Sequence, residues 1–226
     1  MSPPKSHISA ELEQELTFLK ARILEMAGLV GAHVAGAVAA MVSGDVAAAR
    51  SLVAADRQVN QAELLIDERC IRILALRQPA ASDLRFVAAA LKMVTDLERI
   101  GDLAVKMAEQ VPHLSPAAPL GAAQALPGMA AEVEGMLRDV LTAFVDVDPK
   151  KAEQVIAADP PIDALAARLI EQVESEIRRD PSVVRAGVAT IFFVTHIERI
   201  ADHATNVAEM IIYLARGQDV RHPDLT

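Results

Sequence analysis

A chain of 226 residues with 22 basic and 31 acidic side chains has a formal charge of −9, and 52% of it is hydrophobic. That is enough apolar material for a sizeable core and excludes bulk disorder. Aromatics at 3% exclude stacking platforms for bases or sugars, the acidic balance excludes a nucleic-acid binder resting on phosphate neutralisation, and the lone Cys70 excludes an intramolecular disulfide and a Cys-rich zinc site.

Residues 1–8 read as a tail with no basic segment leading into an apolar run, so no signal peptide is expected, and a reducing cytosol is the simplest home. The first helix is expected from Ser9 to Ser43, stopped by Gly44 with Asp45 as the next cap. Within it, Met26 to Val42 is interrupted only by His33. This run is at the lower limit for a membrane span and rich in weakly inserting Ala and Gly, so it reads as a buried, tightly packed helix. Gly28, Gly31 and Gly36 read as points of close helix contact, and His33 as a packed or hydrogen-bonded core histidine. A second helix follows from Val46 to Arg77, with Cys70 as a small buried apolar residue. A third starts with Ser82 as N-cap and ends before Pro112. Residues 112–127, with Pro112, Pro116, Pro119 and Pro127, read as a linker. The fourth helix runs from Gly128 to Asp146. The fifth runs from Pro149 to Arg179, its Glu171–Arg179 stretch a solvated face. The sixth has Asp180 as cap and Pro181 in its first turn, and ends at Gly217. Phe192 and Met210 fall on its solvent side by angular count. Residues 218–226 form a second tail.

The chain repeats itself. DLERIGDLAVKMAE at 96–109 matches HIERIADHATNVAE at 196–209, pairing Glu98 with Glu198, Arg99 with Arg199 and Asp102 with Asp202. Upstream, Asp56 and Asn60 correspond to Asp159 and Asp163 at an offset of 103. The fold class is therefore all-α, two similar three-helix bundles spanning 9–111 and 128–217.

On an ideal helix Val87, Leu91, Val94 and Val105 lie within about 40° of Glu98, and Asp102 lies at about 40°. Glu98 and Asp102 thus project from an apolar stripe, and Glu198 and Asp202 do the same. Carboxylates at i and i+4 repel one another, the more so as water is removed. A hard cation would offset the repulsion. Folding the helices back about their turns sets Asp56 and Asn60 opposite Glu98 and Asp102, and Asp159 and Asp163 opposite Glu198 and Asp202. Asn206, standing where the first half has Lys106, joins the second set. The candidate metal ligands are these nine residues.

Alternatives stay open. Arg99 or Lys106 could neutralise Asp102, leaving an ordinary ion-pair face and a structural adaptor. Pro160 and Pro161 could restart a helix with Asp159 as its N-cap, turning that carboxylate to backbone N–H groups. A metal-dependent enzyme is a further reading, with only His203 near a cluster. Oxygen donors favour magnesium, manganese or iron over zinc without fixing the ion, and the Glu-x-x-His pattern of di-iron oxidases is absent.

DLERIGD at 96–102, IERIADHATNVAE at 197–209 and MIIYLARGQDVRH at 210–222 make the chain resemble the PhoU family, from about Glu11 to His222. The resemblance implies a cytoplasmic, often dimeric protein of two three-helix bundles with metal ions, divalent or trivalent, on its Glu-x-x-x-Asp faces. It implies a role without catalysis: negative regulation of phosphate uptake and of the phosphate-starvation response. The implied partners are the phosphate ABC transporter, through its ATP-binding subunit, and the phosphate-sensing histidine kinase, with membrane association peripheral at most. Asn60, Lys106 and the Pro160–Pro161 pair depart from the family pattern.

Overall fold

A computed structural model describes residues 5–114, 120–217 and Val220, the side chains of 5–9 aside. The helices are α1 (Lys5–Ser43), α2 (Val46–Ala55), α3 (Arg57–Arg77), α4 (Ala81–Gln110), α5 (Leu126–Asp146), α6 (Pro149–Arg179) and α7 (Val184–Arg216). The expected second helix is thus a rod interrupted at Asp56, where α2 hands over to α3 with the backbone still near helical values (φ −54°, ψ −30°). Among the described residues there is no strand.

Local chemistry explains the boundaries. Gly44 turns the chain at φ +67°. Asp45 then accepts from the backbone N–H groups of Ala47 and Ala48, each at 2.9 Å. Asp148 does the same for α6, accepting from Lys150 at 2.9 Å and Lys151 at 3.3 Å. These caps satisfy N–H groups that have no partner within the helix. Asp180 caps the short 3-10 turn Pro181–Val183, taking the Ser182 N–H at 3.0 Å, and α7 starts one turn later than expected. Ser82 is not an N-cap: α4 begins at Ala81, its first turn entered from extended Ala80 without a side-chain cap.

The linker is more structured than its prolines suggest. Val111–His113 and Ala122–Ala125 form 3-10 turns, α5 starts at Leu126, and residues 115–119 lie outside the described residues. Leu120, Ala122 and Leu126 are buried. Glu176, expected on a solvated face, instead accepts from the N–H groups of Gly121 at 3.1 Å and Ala122 at 3.3 Å. Most of 218–226 lies outside the described residues, and α1 reaches back to Lys5.

α1, α2–α3 and α4 form one three-helix group, and α5, α6 and α7 the other. They join where α4 meets α7 and α1 meets α5. The core is continuous across the join, with Met26, Val30, Ile100, Phe144, Phe193, Ala204 and Val207 in one cluster. Lys20 of α1 donates to the Val145 carbonyl near the end of α5 at 2.7 Å. α1 holds a stretch, Ala10–Ser43, long and apolar enough to cross a membrane by length and composition. Its Leu19, Ile23, Met26 and Ala37 are fully buried against the other helices.

Close packing fixes the registers. At Gly36 a Cβ would stand 3.0 Å from Leu52, and at Gly101 it would stand 3.2 Å from Val59 and 3.8 Å from Val30. Gly28 and Gly31 behave otherwise: a Cβ there meets nothing within 4 Å. They open a cavity of about 300 Å³ between α1, α4, α5 and α7. Cys70 is fully buried, and burial pushes its thiol up to about 12. Phe192 is exposed, with its ring edge-on to His196, but Met210, expected on the solvent side, is buried.

Candidate metal centre

The second half brings the acids closest together. Asp159 and Asp163 lie one turn apart on α6, and Glu198 and Asp202 one turn apart on α7. Asp159, Asp163 and Asp202 each offer a carboxylate oxygen, and these atoms all lie within 4.8 Å of one another. Asp159 is the innermost. Its Oδ1 is buried with no hydrogen-bond partner. Burial first, then the charges of Asp163, Asp202 and Glu198, raise its carboxyl to about 6. Burial and the neighbouring Asp202 and Asp163 raise Glu198. Burial and Asp163 raise Asp202, against His203 and Arg199. Each shift reports an anion short of counter-charge.

Asp159 holds this position because α6 does not restart. The helix is continuous through Pro160 and Pro161, and Asp159 caps nothing. Proline lacks an N–H, so the Ile156 and Ala157 carbonyls lose their intrahelical donors. The irregularity falls at the repeat position where the first half breaks at Asp56. Both halves therefore disturb the rod beside its first acid.

In the first half, Asn60 donates from Nδ2 to Asp56 Oδ2 at 3.0 Å, and the remaining Oδ1 atoms of both are buried without partners. On α4, burial first, then Asp102 and Asp56, raise Glu98, while Arg99 and Lys106 oppose them. Lys106 lies 3.7 Å from Asp102. Among the described residues no three acid or histidine ligand atoms of this half come as close as the second-half trio. Asn60 occupies one oxygen of Asp56, and Lys106 stands beside Asp102.

Sequence reasoning missed Glu63. Burial and then Glu98, Asp67 and Asp102 raise its carboxyl, which places it among the first-half acids. It lies two turns beyond Asp56 on the same helix face, a spacing that could have found it. Ala166 is its counterpart, so the first half has its acid at 63 where the second has one at 163. Asn206 is engaged elsewhere than at the trio. It donates to Asp96 Oδ1 on α4 at 3.1 Å, and the same oxygen sits 2.8 Å from His203 Nδ1. These three residues clasp α4 to α7.

An oxygen-rich site with an orphaned buried acceptor suits a hard or borderline cation. The trio, joined by Glu198, would hold it, and the ion would supply the missing positive charge.

The PhoU domain matches twice, over residues 23–111 and 126–211. The chain belongs to the PhoU family. The two matches fall on the two three-helix groups, one PhoU domain to each. A PhoU homolog of Pseudomonas putida, a phosphate-specific transport system accessory protein, is 39% identical over 97% of this chain and 86% of its own length. The PhoU of Escherichia coli K12, under the same description, is 33% identical over 96% of this chain and 90% of its own. The crystal structure of PhoU from Pseudomonas aeruginosa superposes with a TM-score of 0.87 at 36% identity, covering 91% of this chain and 99% of that one. The phosphate transport system regulatory protein PhoU of Streptococcus pneumoniae gives 0.86 at 30% identity, covering 92% and 99%.

Proposed function

We propose that this chain is a cytoplasmic accessory protein of phosphate-specific transport that acts by contact and not by catalysis. It restrains phosphate uptake and phosphate-starvation signalling by binding the transporter's ATP-binding subunit and the phosphate-sensing histidine kinase. The names and near full-length similarity of its relatives support the transport role. The observation that carries the metal dependence is the trio Asp159, Asp163 and Asp202 around a buried, unpartnered oxygen. A cation there relieves carboxylate repulsion and fixes α6 against α7, and with them the helical surface offered to a partner. The first face, built from Asp56, Asn60, Glu63, Glu98 and Asp102, takes a second ion. Oxygen donors favour magnesium, manganese or iron. The pairing of His203 with Asp96 weighs against an enzyme, since it occupies the one histidine beside the trio.

Dimerisation fits the outer face of α3. Leu64 and Ile71 stand on it, exposed at 68% and 62%. The matching face of α6 carries Ala167, Glu171, Glu174 and Arg178, so the fold itself does not require the apolar side chains. Two copies packed antiparallel across α3 would set Glu68 against the partner's Arg72 twice, a self-complementary pattern.

Elemental analysis of the purified full chain tests the metal claim. The wild type is expected to retain manganese, iron or magnesium, and the Asp159→Asn, Asp163→Asn, Asp202→Asn variant to lose its share. Equal content in the two would overturn it. Retention of the ATP-binding subunit on immobilised protein should rise with added manganese, and indifference to the ion would remove the metal dependence of the contact.

A further inference from the structure

The first half contains a polar residue that the acidic pattern does not include. His33 lies in the middle of α1, 8% exposed, and its Nδ1 is buried without a hydrogen-bond partner. Asp56 Oδ1 and Asn60 Oδ1 are the other two unpartnered buried atoms of this half's acid face. An unsatisfied buried polar atom costs about 1–3 kcal/mol, so three gathered within about a turn of one another call for a shared partner.

That His33 and Asp56 share a level follows from packing. α1 and α2 fold back about Gly44 and Asp45, and His33 and Asp56 are equally far from that turn. Contacts on either side fix the register. Towards the turn, Gly36 stands against Leu52; away from it, Val30 and Val59 both stand against Gly101. His33 and Asp56 lie between these contacts, one turn from Val30 and Val59. Gly101 itself lies between Glu98 and Asp102. Burial lowers the value of the imidazole, and the charge of Asp56, near enough to be felt, opposes it.

The repeat supplies an internal control. At the offset that carries Asp45 onto Asp148 and Asp56 onto Asp159, His33 falls on Met136, which is buried. Neither chain packing nor the repeat calls for an imidazole at this level.

We propose that His33 supplies an imidazole ligand to the cation of the first acidic face, alongside Asp56 and Asn60. That face therefore selects a divalent transition ion, whereas the second face, with carboxylates alone, takes magnesium as readily. Nitrogen donors favour manganese, iron, cobalt and zinc over magnesium. The inference rests on the metal reading above and adds to it a ligand and a difference between the two faces.

The test uses the full chain carrying Asp159→Asn and Asp202→Asn, so that only the first face is left. Loaded with Mn²⁺, this parent is expected to show nitrogen-14 modulation in pulsed EPR, and His33→Gln to lose it. In calorimetric titrations His33→Gln should weaken Zn²⁺ binding by about tenfold or more while changing Mg²⁺ binding by less than about twofold. A parent without nitrogen modulation, or a modulation that persists in His33→Gln, overturns the proposal. The parent spectrum decides even where the variant does not fold. If Mn²⁺ binds equally well after Glu98→Gln with Asp102→Asn, the metal reading of this face fails as well; if those substitutions abolish binding and His33→Gln leaves it unchanged, only the imidazole fails.

Discussion

Asp159 shows how a single carboxyl can tie stability to an ion. Its folded-state value of about 6 lies above the ordinary 3.8. The native state therefore holds its proton more tightly than the unfolded chain does. Between about pH 4 and pH 6 the native state binds more protons, so metal-free stability falls as pH rises through that window. Urea melts of metal-free protein should show this loss, and Asp159→Asn should flatten it, gaining about 1–2 kcal/mol at neutral pH after screening by solvent. A loss of stability in that variant without metal would contradict the repulsion account. Adding manganese to the wild type should restore what deprotonation removes, because an ion bound only by the native state stabilises it. The sequence announced Asp159 through its repeat partner, but the adjacent prolines argued for a cap. Only the packed helix decides, since α7 brings Asp202 across and leaves Oδ1 no backbone donor. Asn206 adds a contact that the motif did not announce: its amide N–H goes to Asp96, remote in sequence.

At the scale of the helix, glycines that look alike in sequence do opposite work. At Gly187 a Cβ would stand 2.6 Å and 2.8 Å from Ile177 and 3.2 Å from Val173, at the crossing of α6 and α7. Gly187→Ala forces that crossing apart and should cost about 1–3 kcal/mol. Gly31 faces the cavity, so Gly31→Ala should stabilise by about 0.5–1 kcal/mol through helix propensity alone. Thermal melts of the two variants should move in opposite directions. Helix positions were legible from caps and prolines, because Asp45 and Asp180 act within their own few residues. The break at Asp56 was not, since it depends on neighbours in other helices overriding local preference, whereas the span Pro149–Arg179 was read correctly through Pro160 and Pro161 with a restart left open beside it. Small residues mark a close approach or a void equally well, and only the opposing helix tells which.

For the whole molecule, the repeat made the architecture readable, whereas the fusion of the two groups into one core was not. The residues at the join, such as Ile100 and Val207, look like any other core positions along their helices. The difference between the outer faces of α3 and α6 bears on assembly. Ile71→Arg places charge on the exposed face that Ile71 shares with Leu64 and should convert a dimer to a monomer by light scattering, without lowering the melting temperature of the subunit. A dimer that survives Ile71→Arg would assign association to another surface.

The clasp between Asp96 and the His203–Asn206 pair has a consequence for how the molecule fills. Asp96 stands on the side of α4 turned away from Glu98, and His203 adjoins Asp202. An ion that drew α7 towards α6 would thus pull on the rod that carries the other acidic face. Occupancy on one side should change affinity on the other, and Asp96→Ala should uncouple them. Manganese titrations would then show interdependent saturation in the wild type and two independent isotherms once that tether is cut.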